Sequence, residues 1–196
     1  MDHKNSQSAS YAAAGVDIVA GYRAVELMKK HVPDTAGSKQ AAALLALSGL
    51  ADAKEINENG GVAIAVKANC LEKASLEEAR LEVNEKLGPC DILINGAGGN
   101  NPKATTDNEY QHEAKEGGKS FFDLDDKGVD FVFKLNFQGT LLPTQAFAKD
   151  MVSKKSGCIL NISSMNAYIP LTKIPAYSAA KAGISNFTQW LATHFA

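Results

Sequence analysis

From residue 51 onward, apolar and polar positions fall into blocks that predict helices and strands in alternation. Residues 52–59 predict the end of a helix, with Gly60-Gly61 as its stop. Residues 62–66 form an apolar run of strand length. Ser75, with Glu78 three positions on, predicts a capping box that opens a helix over 76–87, and Gly88-Pro89 breaks it. Residues 91–95 (DILIN) predict a strand, apolar without alternation, as expected where helices cover both faces of a parallel sheet. Residues 100–118 are polar, carry Pro102 and Gly117-Gly118, and predict a surface excursion with few core candidates. A long helix is predicted over 126–155, with apolar positions at Val129, Val132, Phe133, Leu135, Phe137 and Leu141. Pro143 should kink it and Gly157 should end it. Residues 158–162 (CILNI) predict another strand, and a loop over 163–175 leads to a last helix over 177–196. Such alternation predicts an α/β chain of βαβ architecture.

Residues 1–50 read differently. They are rich in Ala, Ser and Gly, and they predict helices over 22–31 and 39–47 separated by Pro33. A short strand over 16–20 would be interrupted by Asp17. The chain thus divides into an atypical segment, 1–50, and a regular core, 51–196. Its 196 residues are 45% hydrophobic and 21% charged, which suits one globular domain. With 20 Lys+Arg against 22 Asp+Glu, no block of one sign offers a nucleic acid an electrostatic surface. The longest apolar stretch, 41–51, contains Ser48 and Gly49 and falls short of the roughly 18 residues of a membrane helix. No basic region followed by an apolar one opens the chain. Cys70, Cys90 and Cys158 are odd in number and widely spaced, which suggests neither a disulfide framework nor a metal site. The expectation is a soluble, intracellular (cytoplasmic), single-domain protein with no nucleic-acid partner and no membrane partner.

The sharpest chemical signal is Tyr177-Ser178-Ala179-Ala180-Lys181. Four residues apart on a helix, the phenol and the ammonium share a face. A nearby cation favours the phenolate and so makes a better acid–base catalyst of a group that ordinarily titrates near ~10. The small residues between them keep that surface low enough for a ligand to lie against it. Taken alone, the pair is more often an ordinary helix surface. The neighbouring features carry similar alternatives. Ser163-Ser164 ends the CILNI strand, 13 residues before Tyr177 in the case of Ser164, and such serines often only satisfy loop backbone. Asn95-Gly96 ends DILIN and could be only a turn, and Asn136 in the long helix could face solvent.

Together these features resemble the short-chain dehydrogenase/reductase family. The likeness rests on Asn95-Gly96-Ala97-Gly98 after one strand, Asn136 in the next helix, Ser164 after the next strand, and then Tyr177 and Lys181. It covers about residues 51–196. The resemblance implies a Rossmann-like doubly wound parallel sheet, here incomplete at both ends, with ligands beyond the carboxyl ends of the strands. It implies an NAD(P)-dependent oxidoreductase, with NAD favoured over NADP, and a homo-tetramer in complete members. By the same resemblance Tyr177 is the general acid–base, Lys181 lowers its pKa and holds the nicotinamide ribose, and Ser164 bonds the reacting oxygen. Asn136 would hold a water in a proton relay to Lys181. Asn95, Gly96, Ala97 and Gly98 would pack the cofactor, while Asn69 and Cys70 stand where the family often meets adenine. A strand-end polar residue explains Asn69 equally well. Residues 98–103 and 163–175 look like a sugar-acid subgroup of the D-mannonate oxidoreductase (fructuronate reductase) type, with a gluconate-type or other sugar or polyol dehydrogenase as the alternative. For such a small-molecule substrate Asn100, Asn101, Asn166 and Lys173 are the candidate partners, with Lys173 or Lys103 for the carboxylate or else as plain surface lysines.

The resemblance fails in two places. Family members open with a strand and T-G-x-x-x-G-x-G, whose amides hold a pyrophosphate, and nothing in residues 1–50 matches it. The chain also stops at Ala196, inside the predicted Tyr177 helix, where family members continue. The alternative is therefore a catalytically silent fragment, or a binding protein without the phosphate loop. The chain as written is expected to bind nicotinamide cofactor poorly and to aggregate through its open sheet edge. The preserved length but altered identity of residues 1–50 is what a displaced reading frame would produce, with a genuine alternative N-terminus as the competing reading. A flavodoxin-like reading would explain the sheet, but not Ser164, Tyr177 and Lys181 together.

Overall fold

The structure, a computed structural model, describes residues 49–196. The predicted helices over 22–31 and 39–47 and the strand over 16–20 lie outside the described residues. Helix α1, Gly49–Glu58, ends at Gly60, whose φ of 84° needs glycine, and the Gly61 amide closes it on Ile56 O. The expected strand over 62–66 forms no ladder among the described residues. Asn57 takes its place: Nδ2 donates to Ala63 O at 3.0 Å and Oδ1 accepts from Ala63 N at 2.8 Å. The segment still packs inward through Ala63 and Val66.

Helix α2, Lys73–Leu87, begins earlier than the capping box predicts. Ser75 is already inside it, and its hydroxyl accepts from the Asn69 amide at 2.9 Å instead of capping. Asn69 does the local turning: its Oδ1 accepts from Leu71 N and its Nδ2 donates to Glu72. Strands β1, Ile92–Asn95, and β2, Cys158–Asn161, pair in parallel, Ile92 opposite Cys158 and Asn95 opposite Asn161. A parallel pair requires a crossover, and the long helical stretch supplies it.

That stretch is three pieces: α3, Asp126–Phe133, a π-helical turn, Lys134–Gln138, and α4, Gly139–Lys154. The irregularity expected at Pro143 therefore lies one turn earlier, directly before Gly139, whose carbonyl Pro143 leaves without a helical donor. Lys155, in the left-handed region at φ 54°, ends α4 in place of Gly157. Helix α5, Pro175–His194, starts with proline at its first position, where the missing amide has no helical partner to lose.

Helices α2 and α4 pack on the inner face of the sheet around Leu76, Val83, Leu93, Phe147 and Met151. A second cluster, Ala104, Val132, Ala176 and Ala180, joins α3 to α5. Ala104 is fully buried, so the polar excursion does supply one core residue. Among the described residues only one face of DILIN is covered: Leu93 is 5% exposed, while Ile92 and Ile94 are 58% and 59% exposed. Among the described residues no helix is long and apolar enough to cross a membrane.

Candidate active site

The carboxyl ends of β1 and β2 meet the first turns of α5 and the π-helical turn. Each element delivers one of the residues singled out in the sequence. Lys181 lies on the buried side of α5, 4% exposed, and its Nζ donates to Ile162 O at 2.8 Å. The same ammonium stands 5.6 Å from the centre of the Tyr177 ring. Burial alone pushes its pKa below the ordinary lysine value. An ammonium has three donors, and one is engaged here, so two remain for a ligand.

Gly98 explains why the strand must end as it does. A Cβ at that position would lie 2.7 Å from Asn136 Oδ1 and 3.1 Å from Lys181 Nζ. Only glycine lets the chain pass so close to both. Asn136 is fully buried, not solvent-facing. Its Nδ2 donates to Gly99 O at 2.7 Å and to Val132 O at 2.8 Å, while its Oδ1 accepts from Gly99 N at 3.2 Å. The side chain is thus engaged in fixing the glycine turn to the π-helical turn.

Ser164 caps a short 3-10 turn, Met165–Ala167, its Oγ accepting from Asn166 N at 3.2 Å. That leaves its hydroxyl hydrogen for another acceptor. Asn95 does not turn outward with Gly96, Ala97 and Gly98, which are exposed. It is 4% exposed and bonds Thr144 Oγ1 at 2.9 Å and Asn161 Oδ1 at 2.8 Å. Asn161 in turn donates to Thr188 of α5, and Thr144 and Thr140 bond back along α4 to Asn136 O. Thr140, Thr144, Asn161 and Thr188 were not anticipated. Nothing in their spacing marks them, although polar residues inside otherwise apolar strand and helix faces are the available signal.

The proposed substrate residues fall into two groups. Asn100 donates to Thr105 Oγ1 and Asn101 accepts from Lys103 N, both within their own loop. Asn166 is buried beside the Ser164 turn. Lys173 joins the two loops through its backbone, its carbonyl accepting from Thr106 N at 3.0 Å. Asn69 and Cys70 lie before α2, and Cys70 Sγ would be 3.3 Å from a Cβ at Gly139. Burial raises the Cys70 thiol pKa.

A family model described as short chain dehydrogenase matches residues 30–196. The chain belongs to the short-chain dehydrogenase family. The match begins 21 residues before the 51 expected from the sequence motifs. An uncharacterized oxidoreductase of Haemophilus influenzae is 63% identical over 144 residues, 73% of this chain and 50% of the relative. An uncharacterized oxidoreductase of Bacillus subtilis is 53% identical over 148 residues, 76% of this chain and 53% of that protein. Among solved structures, a candidate D-mannonate oxidoreductase from Haemophilus influenzae with bound NAD superposes with a TM-score of 0.70 at 63% identity. That match covers 73% of this chain and 51% of the other. The short-chain dehydrogenase chain spans about half the length of the curated relatives it matches. The Rossmann-like α/β class expected from the sequence agrees with these relatives.

Proposed function

We propose that this chain carries the catalytic core of an NAD-dependent oxidoreductase acting on a sugar acid, with the D-mannonate/D-fructuronate pair as the substrate. The observation that carries the reading is the Tyr177–Lys181 pair, a buried ammonium beside a phenol with two donors to spare. When bound, the nicotinamide accepts or gives the hydride. Tyr177 then transfers a proton to or from the substrate oxygen, and Ser164 donates its free hydroxyl hydrogen to that same oxygen. Lys181 favours the tyrosinate and offers its remaining donors to ribose hydroxyls. Asn136 acts through the Gly99 backbone. Both of its Nδ2 hydrogens are engaged, so a relay water at this side chain would donate to Oδ1. Asn100, Asn101, Asn166 and Lys173 supply the polar partners that a polyol carboxylate needs, and the protein works in the cytoplasm as a homo-oligomer.

A second reading, a silent or purely binding member, is favoured by the absence of T-G-x-x-x-G-x-G from the sequence. NADH fluorescence titration and D-mannonate-dependent NAD reduction separate the two. In a complete version of the enzyme, the oxidoreductase reading expects turnover that falls about 10²- to 10⁴-fold in Tyr177→Phe, with cofactor affinity largely retained. Native-like turnover in that variant would remove Tyr177 from the mechanism. A folded chain that binds no NADH would establish the silent reading.

A further inference from the structure

The hydroxyls of Ser163 and Ser185 belong to no role described above, yet they meet at the backbone of Lys181. Ser163 Oγ lies 3.0 Å from Lys181 O and 2.8 Å from Ser185 Oγ, and Ser185 Oγ is 3.4 Å from the same carbonyl. Two hydroxyl hydrogens must be placed. The short distances are served when Ser185 donates to Ser163 and Ser163 donates to Lys181 O. The neighbouring residue, Ile162, holds the other end of the lysine, its carbonyl accepting from Nζ at 2.8 Å. Two consecutive residues leaving β2 therefore hold the backbone carbonyl and the ammonium of one lysine.

That matters for a lysine more than for most residues. Its ammonium is a point charge on a four-carbon stem with about 2 kcal/mol of rotamer entropy, and nothing in the stem itself fixes where the charge sits. We propose that the Ser163–Ser185 hydroxyl pair is a positioning device for Lys181, holding its backbone against the exit of β2 so that its ammonium stays on Ile162 O beside Gly98. The role assigned to Lys181 rests on the oxidoreductase reading, but the positioning itself does not require turnover. Ser185 sits one helical turn beyond Lys181, so a helix rotation that lost one contact would lose the other. A purely structural alternative exists: the pair could only dock α5 on the strand. In that case removing it would lower stability and leave the surroundings of the ammonium as they were.

The discriminating measurement follows the Lys181 side-chain carbon resonance through a pH titration of the full chain. It is made in native and Tyr177→Phe backgrounds, so that titration of the facing phenol does not enter. Burial sets the native midpoint below the ordinary lysine value. Ser163→Ala should admit water to the ammonium and move that midpoint upward by about half a pH unit or more. Ser163→Thr, which keeps the hydroxyl, should hold it at the native value, and Ser185→Ala should move it upward by less. A folded Ser163→Ala with the native midpoint overturns the proposal, as does an equal shift in Ser163→Thr. Should Ser163→Ala not fold, Ser185→Ala decides alone, and an unmoved midpoint there also overturns it. Because no step needs catalysis, failure of the Tyr177 assignment leaves this test intact. Its own failure leaves the turnover test standing.

Discussion

The two faces of the short sheet are made from the same kind of residue and meet opposite fates. Toward α4 and α5, Leu93 and Asn95 are nearly fully buried, and the polar chain of Asn95, Thr144, Asn161 and Thr188 is bonded throughout. On the other face Ile92, Ile94, Leu160 and Ile162 are each more than half exposed. The chemistry-bearing residues all belong to the layer formed by the strand ends and the helices on the covered side. A site of this kind needs one well-packed layer. Its geometry is therefore built within residues 95–185, while the open face offers apolar area and no catalytic group.

Truncating a side chain on each face measures that contrast most directly. Phe147, 1% exposed in the α4 core, should cost about 3–5 kcal/mol on Phe147→Ala, read from the urea midpoint and slope. Ile94→Thr should change stability by less than about 0.5 kcal/mol, since that side chain already meets solvent. A comparable loss at both positions would mean that the outer face is covered in solution, and the contrast would vanish.

Much of this layer was legible in the sequence. DILIN and CILNI became β1 and β2 with at most one residue's difference at each end, because short apolar runs bounded by Gly, Pro and polar residues leave little choice. Tyr177 and Lys181 met because helical spacing alone brings them together. The errors came where side chains compete with backbone. Ser75 looked like a cap, but Asn69 and Glu72 had already organised the turn, and Asn57 replaced the ladder expected over 62–66. Pro143 signalled an irregularity in the long helix, but the residues of the π-helical turn have ordinary helical composition and do not mark its place. An apolar strand reports that both its faces can be buried, not what buries them, and among the described residues the outer face of DILIN is exposed.

A second prediction tests how much stability the covered layer gives up for its site. Lys181 carries a buried ammonium with a single carbonyl partner, and burial depresses its pKa. Below the folded-state pKa the full desolvation penalty is present, and it is relieved as pH rises from that value to the unfolded one. Lys181→Met keeps the stem and removes the charge. It should raise stability at neutral pH by about 1 kcal/mol. A Lys181→Met chain less stable than native would show that the bond to Ile162 O outweighs the desolvation.

The smallest effect lies at the outer edge of the covered layer, where α2 meets α4. Arg80 bonds Glu77 at 2.6 Å within α2 and Asp150 of α4 at 2.8 Å, and Lys149 approaches Glu77 at 3.0 Å. Arg80 first, then Lys149, holds the Glu77 carboxyl at about 2, below its ordinary 4.5. The folded pKa is the lower one, so the unfolded chain takes the proton first as acid is added. The contribution of Glu77 is complete above pH 4.5 and is lost progressively down to about pH 2. Urea unfolding of native and Glu77→Gln chains across that window should show a gap that closes as pH falls. Glu77 is partly exposed, so added salt should narrow the gap at the upper end. A gap that stays constant through the window would show that Glu77 acts through packing and not through its charge. Arg80 would then join α2 to α4 through Asp150 alone.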